Sequence, residues 1–246
     1  MEWFLFSRLL LGHLIGDFPL QTGTIYRLKI QSLRGTILHA GIVTFTMCLM
    51  GLPYWGYGWF WAAMIFVLIS HTVEDWAKVN VYSRWAPLNG FWGFFLDQVI
   101  HVVTIFVIFL TPLGYLPVAE VPTLSNTGSW LVQLYLDNHA MVIITAYVFS
   151  LFAGTYFLSF FKASFYRAQE GAEDRSLENL NRRFGILERT LITTSFLYPD
   201  RCFYLILLAG LLRLPFPKLR VSVDYCLNLA FAGCIGVAMW MLLLAI

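Results

Sequence analysis

Long apolar runs dominate this chain, and short polar connections separate them. The longest runs approach or reach the roughly 20 residues that a helix needs to cross about 30 Å of hydrocarbon. These runs cover residues 60–70, 102–110, 141–161 and 227–246. Such a pattern predicts an all-α fold, a polytopic transmembrane helical bundle that forms a single domain over residues 1–246.

Breakers and charges divide the runs into about eight membrane helices. The predicted helices cover residues 3–20, 36–52, 57–79, 91–113, 131–161 and 222–245, with two short helices within 186–212. One continuous helix over 186–212 would reduce the number to seven. The predicted connections include an amphipathic interfacial segment near 22–35, a loop over 115–129 and a charged cytoplasmic hairpin near 162–183.

The distribution of basic residues favours two short helices over one within 186–212. Lys and Arg cluster after the first, third, fifth and seventh helices, and the connections after the second and fourth contain none. If Pro199 and Asp200 form a tight turn, every basic connection falls on the cytoplasmic side, as the positive-inside rule requires. Both termini are then predicted on the non-cytoplasmic side. The N-terminus lacks the features of a cleaved signal, so we predict that the first helix is retained.

Composition agrees with a bilayer location and narrows the choice of partners. Hydrophobic residues make up 59% of the 246 residues and charged residues only 12%, too few for a soluble domain. The net charge of +2 does not indicate nucleic acid, because topology accounts for the basic residues. Membrane lipids are the predicted partners, with other membrane subunits as an open alternative. The four cysteines lack C-x-x-C spacing, which favours buried thiols over a disulfide or zinc knot.

Ionisable residues recur at helical spacing within the apolar segments. His71 and Asp75 are four residues apart, which places both on one helix face, about 6 Å apart along the axis. Two further pairs and a lone histidine complete the set: His13 with Asp17, Asp97 with His101, and His39. A charged carboxylate at the centre of a membrane helix costs about 2.5–3.5 kcal/mol, so these groups need partners.

The predicted topology brings these residues to neighbouring depths in the cytoplasmic half of the bundle. The fourth helix runs opposite to the first and third, and its pair, Asp97 and His101, also has the opposite order along the chain. In all three pairs the carboxylate is therefore nearer the cytoplasm and the imidazole about one turn deeper. Mixed imidazole and carboxylate ligands suit zinc, iron or manganese, and two ions about 3.5–4 Å apart are conceivable. The predicted metal ligands are His13, Asp17, His39, His71, Asp75, Asp97 and His101.

Other charged residues at this depth are candidates for catalysis with metal-bound water. Glu74 or Glu188 is the predicted general base, and Lys78 or Arg189 is the predicted anion clamp. A structural alternative stays open on the sequence. Aspartate and histidine pairs also join helices as simple polar contacts, and basic side chains can anchor helix ends at the interface.

Several of these residues lie in blocks that resemble a known family. The blocks are residues 12–21, Lys29, 38–39, His71 with Asp75 and Lys78, 95–98 with His101, and 185–189. Together they resemble, over nearly the whole chain, a bacterial integral-membrane family catalogued as domain of unknown function 3307. Glu74 departs from the family pattern, in which this position tends to be apolar. The resemblance implies a multi-pass protein of the bacterial inner membrane and no particular reaction.

Three functions remain open on the sequence. The first is a metal-binding membrane protein that hydrolyses a lipid or amphiphile near the cytoplasmic leaflet. The second is a proton- or ion-coupled transporter in which the same groups relay protons. The third is an accessory subunit of a membrane complex or a haem or pigment binder, which the aspartates disfavour because carboxylates are poor axial ligands. The sequence therefore predicts a site without naming its reaction.

Overall fold

The computed structural model describes residues 3–81, 84–85, 90–112, 129–165, 175–212 and 223–245. These residues form helices joined by turns, with no strand among them, which confirms the all-α prediction. The chain divides into two compact units, which we call unit 1 (Met1–Met141) and unit 2 (Val142–Ile246). That the chain forms a single domain stays a prediction.

Twelve α-helices are present in the described part of the chain. The first seven are α1 (Trp3–Asp17), α2 (Gly23–Gln31), α3 (Leu33–Met50), α4 (Gly58–Asn80), α5 (Phe91–Ile108), α6 (Trp130–Leu136) and α7 (Asn138–Val148). The others are α8 (Gly154–Phe165), α9 (Arg175–Leu197), α10 (Pro199–Cys202), α11 (Leu205–Leu211) and α12 (Val223–Ala245). A 3-10 turn, Leu52–Tyr54, follows α3, and a π-helical segment, Phe149–Ala153, joins α7 to α8.

Within the described ranges, four helical segments are long and apolar enough to cross a membrane. They are Leu33–Met50, Phe91–Ile108, Asn138–Phe165 and Asp224–Leu244. Fewer described helices meet this requirement than the eight predicted, because α1 has only 15 residues and the last two turns of α4 are polar. The helix does break at Pro199, but the following α10 and α11 have only four and seven residues. The membrane side of each terminus stays a prediction.

The beginning of α3 differs from the sequence prediction for a local reason. Ser32 ends α2 and caps α3, because its hydroxyl accepts a hydrogen bond from the Gly35 amide at 3.1 Å. The predicted interfacial segment is therefore the nine-residue α2, and α3 begins at Leu33. Residues 115–128 of the predicted loop and residues 166–174 of the predicted hairpin lie outside the described residues.

The close packing of α1 on α3 depends on two glycines four residues apart. A Cβ at Gly12 would lie 2.9 Å from the Met47 Cα, and one at Gly16 would lie 2.6 Å from the Val43 Cα. The Thr46 hydroxyl donates to the Gly12 carbonyl at 2.7 Å. Small residues at this spacing let helix backbones approach closely in apolar surroundings. The contact fixes the rotation of α1 and the direction of the residues that follow each glycine.

On the long helices of unit 1, the buried histidines and aspartates lie toward one end, and most of the apolar core lies toward the other, where Arg8 of α1 is also buried. The apolar ends form one core: Phe4, Leu5, Leu9, Val43, Met47, Tyr54, Phe60, Ala63, Met64, Val67, Ile105, Ile108 and Phe109. On α4 the same face continues from Val67 to His71 and Asp75, at helical spacing. The outer face of α4 exposes apolar side chains such as Ile65 and Ile69. Polar groups inside and apolar groups outside are expected of a protein in a bilayer.

Unit 2 is organised around Arg189, a buried residue of α9. Its guanidinium donates to the carbonyls of Ser150 at 2.8 Å and Leu151 at 3.3 Å, both in the π-helical segment. It also donates to the Thr155 hydroxyl at 2.6 Å and to the Asn228 side-chain oxygen at 2.5 Å. A π-helical segment interrupts the regular hydrogen-bond ladder, and here the arginine supplies donors to its carbonyls. The guanidinium thereby joins α9 to α8 and α12.

A candidate metal centre

Four helices of unit 1 bring their buried histidines and aspartates together at the polar ends of their inner faces. We call these residues the His/Asp cluster: His13 and Asp17 from α1, His39 from α3, His71 and Asp75 from α4, and Asp97 and His101 from α5. Each of them is at most 4% exposed. All seven predicted metal ligands therefore lie in the interior of one unit.

Four side chains of the cluster form a closed ring of nitrogen and oxygen atoms. The Nε2 of His39 lies 3.0 Å from Asp17 Oδ1 and 3.6 Å from Asp75 Oδ2. The Nε2 of His71 lies 4.0 Å and 3.2 Å from the same two oxygens. Ligand atoms of a tetrahedral zinc ion, with bonds of about 2.0–2.2 Å, are about 3.3–3.6 Å apart. The four distances around this ring, 3.0–4.0 Å, span that separation, and the ligand atoms of His39, His71 and Asp75 also lie within 4.8 Å of one another.

Three overlapping sets within the cluster each place three ligand atoms within 4.8 Å of one another. The sets are Asp17, His71 and His101; His39, His71 and Asp75; and Asp75, Asp97 and His101. Asp75 links the last two sets. Its Oδ2 faces His39 and His71, whereas its Oδ1 lies 4.0 Å from His101 Nε2. The last two sets are thus adjoining candidate metal positions that share the Asp75 carboxylate, and the first set shares His71 with one of them and His101 with the other.

Glu74 orients His101 from the edge of the cluster. The Nδ1–H of His101 donates to Glu74 Oε2, and the Thr104 hydroxyl donates to Glu74 Oε1 at 2.8 Å. A neutral imidazole that donates through Nδ1 has its lone pair at Nε2. The Nε2 of His101 lies 3.8 Å from Asp97 Oδ1. Glu74 therefore directs the free nitrogen of His101 toward the interior of the cluster.

α2 contributes a cation to the cluster. Lys29 is the one buried residue of this helix, all nine residues of which the structure describes. Its Nζ lies 2.6 Å from Asp75 Oδ1 and donates to the Gln21 side-chain oxygen at 3.2 Å. Burial lowers the pKa of this ammonium, but the carboxylates of Asp75, Asp17 and Asp97 outweigh burial and raise the pKa above its ordinary value. The carboxylates of the cluster thus favour the ammonium form of Lys29.

A second lysine and an amide line the more open side of the cluster. The Nζ of Lys78 donates to Asp97 Oδ2 at 2.6 Å. The amide of Gln98 donates to Asp17 Oδ2 at 3.1 Å and to Asp97 Oδ2 at 3.2 Å. The side chains of Lys78 and Glu74 are 25% and 16% exposed, far more than those of the cluster itself. Lys78 and Glu74 therefore form a more exposed edge beside the buried cluster.

Several buried atoms of the cluster have no hydrogen-bond partner among the described residues. They are the Nε2 atoms of His13, His71 and His101, the Nδ1 of His39, the Oδ1 of Asp97 and both carboxylate oxygens of Asp75. The Asp75 oxygens make ion pairs, but without the angles of a hydrogen bond. Buried polar atoms without hydrogen bonds are costly, so their concentration here indicates a ligand.

The charges around the cluster do not balance. The charged groups are the carboxylates of Asp17, Glu74, Asp75 and Asp97 and the ammonium groups of Lys29 and Lys78. If every imidazole is neutral, four negative and two positive charges leave two net negative charges, and each proton on an imidazole, such as that of His101 beside Glu74, reduces this surplus by one. One divalent cation would neutralise this surplus, and an uncompensated buried charge is expensive.

The predicted ligands meet, but not in all of the predicted pairs. His13 makes no ion pair with Asp17, although both residues are described. Asp17 contacts His39 of the neighbouring helix instead. The His13 ring lies 5.5 Å and 5.1 Å, centroid to centroid, from those of His71 and His101, outside all three ligand sets. The other two pairs at four-residue spacing are present, at 3.2 and 3.8 Å. The depth of each layer in a membrane stays a prediction.

The remaining predicted residues, Glu188 and Arg189, lie in unit 2. Glu188 is buried and accepts a hydrogen bond from the Asn228 amide at 3.0 Å. The donors of Arg189 reach carbonyl, hydroxyl and amide oxygens, all of them neutral. These contacts make both residues part of the interior of unit 2, and their catalytic roles stay predictions.

Three residues around the cluster were missed by sequence reasoning, namely Lys29, Gln98 and Thr104. Lys29 and Gln98 belong to the blocks that carry the family resemblance. Lys29, however, lies in the predicted interfacial segment, and the sequence predicts no role for Gln98. Thr104 is a single hydroxyl in an apolar helix, and no sequence pattern distinguishes it. The fold reveals all three because it places α2, α4 and α5 side by side around one carboxylate cluster.

A family model described as a protein of unknown function, DUF3307, matches residues 5–127. The match covers half of the chain and includes every residue of the His/Asp cluster. The chain belongs to this family. No curated protein and no solved structure matches it. The DUF3307 match confirms the family. It covers a shorter part of the chain than the resemblance did, because residues 128–246, with the block at 185–189, lie outside it.

Proposed function

We propose that this DUF3307 protein is a membrane protein whose His/Asp cluster binds a divalent transition metal, namely zinc, iron or manganese. The observation that carries the proposal is the ring of His39, His71, Asp17 and Asp75, in which neighbouring nitrogen and oxygen atoms are 3.0–4.0 Å apart. Imidazole and carboxylate are ligands that these metals accept. The net negative charge and the buried atoms without hydrogen bonds support a cation there.

The proposed location is the bacterial cytoplasmic membrane, which the chain crosses several times. Four apolar helices of sufficient length support this location, as do the apolar outer faces of the unit 1 helices. The basic connections support a position of the cluster near the cytoplasmic leaflet. Lipid molecules are then the natural surroundings of the protein and the nearest candidates for its substrate.

The proposed reaction is hydrolysis of an ester bond in a lipid or another amphiphile. A metal ion lowers the pKa of its bound water to about 7 and so supplies a nucleophile at neutral pH. The water oxygen bonds to the carbonyl or phosphoryl centre, the bond to the leaving oxygen breaks, and that oxygen takes up the proton released by the water.

Residues at the open edge of the cluster fit the proton and charge transfers of this reaction. His101, held by Glu74, is the proposed proton carrier, because its Nε2 lies 4.0 Å from Asp75 Oδ1 at the border of the ring. Lys78 is the proposed anion clamp, since it combines a cation beside Asp97 with access to solvent.

A proton- or ion-coupled transporter is the second candidate, and contact among the four imidazoles favours it. Ring centroids are 4.1 Å apart for His71 and His101, 5.3 Å for His39 and His71, and 5.1 Å for His13 and His101. Titratable groups in such contact can pass protons along a membrane protein. Proton flux into proteoliposomes that persists after chelator treatment would favour transport over metal-dependent hydrolysis.

Metal analysis of the purified protein tests the main proposal. Wild-type protein in detergent is expected to retain bound zinc, iron or manganese after desalting, measured by plasma mass spectrometry against protein concentration. The double variant His71→Ala, Asp97→Ala is expected to lose the metal. Thr193→Val is the matched control in unit 2, where a buried hydroxyl bonds to Ser150 at 2.8 Å, and it should keep the metal. Metal-free wild type, or a double variant with unchanged metal, contradicts the proposal.

The reaction is tested with vesicles of phosphatidylethanolamine and phosphatidylglycerol. Metal-loaded protein is expected to release ester-cleavage products detectable by mass spectrometry, and chelation should stop their release. An absorption spectrum of the same preparation tests the alternative of a haem or pigment binder, which predicts strong visible bands.

A further inference from the structure

Lys29 competes directly with one of the two candidate metal positions. Its Nζ lies 2.6 Å from Asp75 Oδ1, whereas the four-atom ring uses Asp75 Oδ2. The adjoining position, formed by Asp75, Asp97 and His101, faces that same Oδ1. A metal ion bonds to a carboxylate oxygen at about 2.0–2.2 Å, so an ion and an ammonium on one oxygen would be close like charges.

The fold holds the Lys29 ammonium in this place. A Cβ on Gly35 would lie 1.9 Å from the Leu28 carbonyl oxygen, so α2 packs against α3 without room for a larger residue. The Thr36 hydroxyl of α3 donates to the Lys29 carbonyl at 3.0 Å. The other eight residues of α2, all described, are not buried, so the helix inserts a single side chain into unit 1.

We propose that the Lys29 ammonium takes the place of a second metal ion, so that the cluster binds one divalent ion in the ring of His39, His71, Asp17 and Asp75. The inference rests on the proposed metal binding and specifies its stoichiometry. Asp75 then bridges a metal ion on Oδ2 and an ammonium group on Oδ1. Asp97 and His101 remain beside the ion without binding it, which leaves them available for proton transfer.

The charge balance of the cluster agrees with a single ion. Four carboxylates, two ammonium groups and one divalent ion sum to zero. Without Lys29 the same groups carry one surplus negative charge, and a second ion with a bound hydroxide restores neutrality. Removal of the ammonium therefore opens the position at Asp75, Asp97 and His101 to a second ion.

The zinc content of Lys29 variants tests this inference. Chelator-treated protein in detergent is loaded with zinc, desalted, and analysed for zinc per protein chain. Wild type is expected to bind one equivalent, and Lys29→Met two. Lys29→Gln, which removes the charge but keeps a polar group near Gln21, is expected to bind two as well. Lys29→Arg keeps the charge, and Arg27→Met changes an exposed basic residue of the same helix, so both should bind one.

The outcomes separate this inference from the proposed metal binding. Two equivalents in the wild type overturn the role of Lys29 and leave metal binding intact. One equivalent in Lys29→Met and Lys29→Gln, with circular dichroism and gel filtration like those of wild type, also overturns it. No zinc in any variant overturns the metal-binding proposal on which the inference rests. The wild-type ratio decides between one ion and two even if a Lys29 variant does not fold.

Discussion

Units 1 and 2 each bury a polar cluster, and the two clusters differ in how their hydrogen bonds are satisfied. In unit 2, Arg189 is surrounded by oxygen acceptors, and no buried side-chain nitrogen or oxygen among the described residues of that unit lacks a partner. In unit 1, carboxylates and imidazoles face one another, and several of their buried atoms have no hydrogen-bond partner among the described residues.

This difference indicates what each cluster does. A buried polar group whose bonds are all made within the protein stabilises one arrangement of helices. A buried surplus of acceptors and negative charge raises the free energy of the folded protein unless a cation is bound. Such a surplus is typical of sites that bind a ligand. This contrast supports the proposal that the His/Asp cluster binds a ligand, whereas the contacts of Arg189 hold helices of unit 2 together.

Arg189→Ala is expected to have the largest effect on stability. It leaves the carbonyls of Ser150 and Leu151 without their donor and should destabilise the protein by about 3 kcal/mol or more. Thermal unfolding in detergent measures the loss. Arg201→Ala, at an exposed arginine of the same unit, is the control and should change stability by no more than about 0.5 kcal/mol. A stable Arg189→Ala protein that had lost its metal would reverse the assignment of the two clusters.

Removal of a ring histidine is expected to act on metal binding more than on folding. His39→Ala deletes a nitrogen of the ring and should weaken zinc affinity by more than the roughly 100-fold that loss of an outer-shell partner costs. His101→Ala deletes an imidazole that is also buried but lies outside the ring. The zinc affinity of this variant should therefore stay within about tenfold of that of wild type. Competition with a chromogenic chelator measures both. Equal losses for the two variants would mean that His101 is a ligand.

The smallest expected effect is on the stability of the metal-free protein. Asp17→Asn removes one of four crowded negative charges and keeps an oxygen for His39, but its NH2 then faces the Gln98 amide that donates to Asp17, so the stability of metal-free protein should change by no more than about 1 kcal/mol. Added zinc should raise the melting temperature of wild type and not that of the variant. Destabilisation as large as that of Arg189→Ala would show that Asp17 serves structure alone.

The sequence predicted the helices and the members of the His/Asp cluster because both follow from periodicity. His71 and Asp75 share a face at four-residue spacing, and alternate helix directions bring the polar ends of the four helices together. The sequence pattern predicted more membrane-spanning helices than the described residues contain. Hydropathy alone cannot show that α4 ends in buried polar turns or that Pro199 begins a four-residue helix. Pairing across helices, as between Asp17 and His39, depends on helix rotation that only packing sets.

Lys29 shows why part of the cluster escaped sequence reasoning. A lysine in a short, mostly polar helix has the pattern of a membrane-interface residue. Its burial follows from a tertiary contact, the approach of α2 to Gly35, which no periodicity encodes. The contacts of Arg189, which the sequence predicts only as an anion clamp, escaped for a related reason, since two of its partners are backbone carbonyls of a π-helical segment that the sequence does not mark.

The metal environment in the purified protein is the most direct test of the central claim that the unit 1 cluster is a metal centre. X-ray absorption at the zinc edge of zinc-loaded wild type should show a first shell of nitrogen and oxygen at about 2.0–2.2 Å, with the outer-shell scattering of imidazole. The signal should vanish in the His71→Ala, Asp97→Ala variant. Absence of bound zinc, or a sulfur shell at about 2.3 Å from cysteine, would contradict the claim.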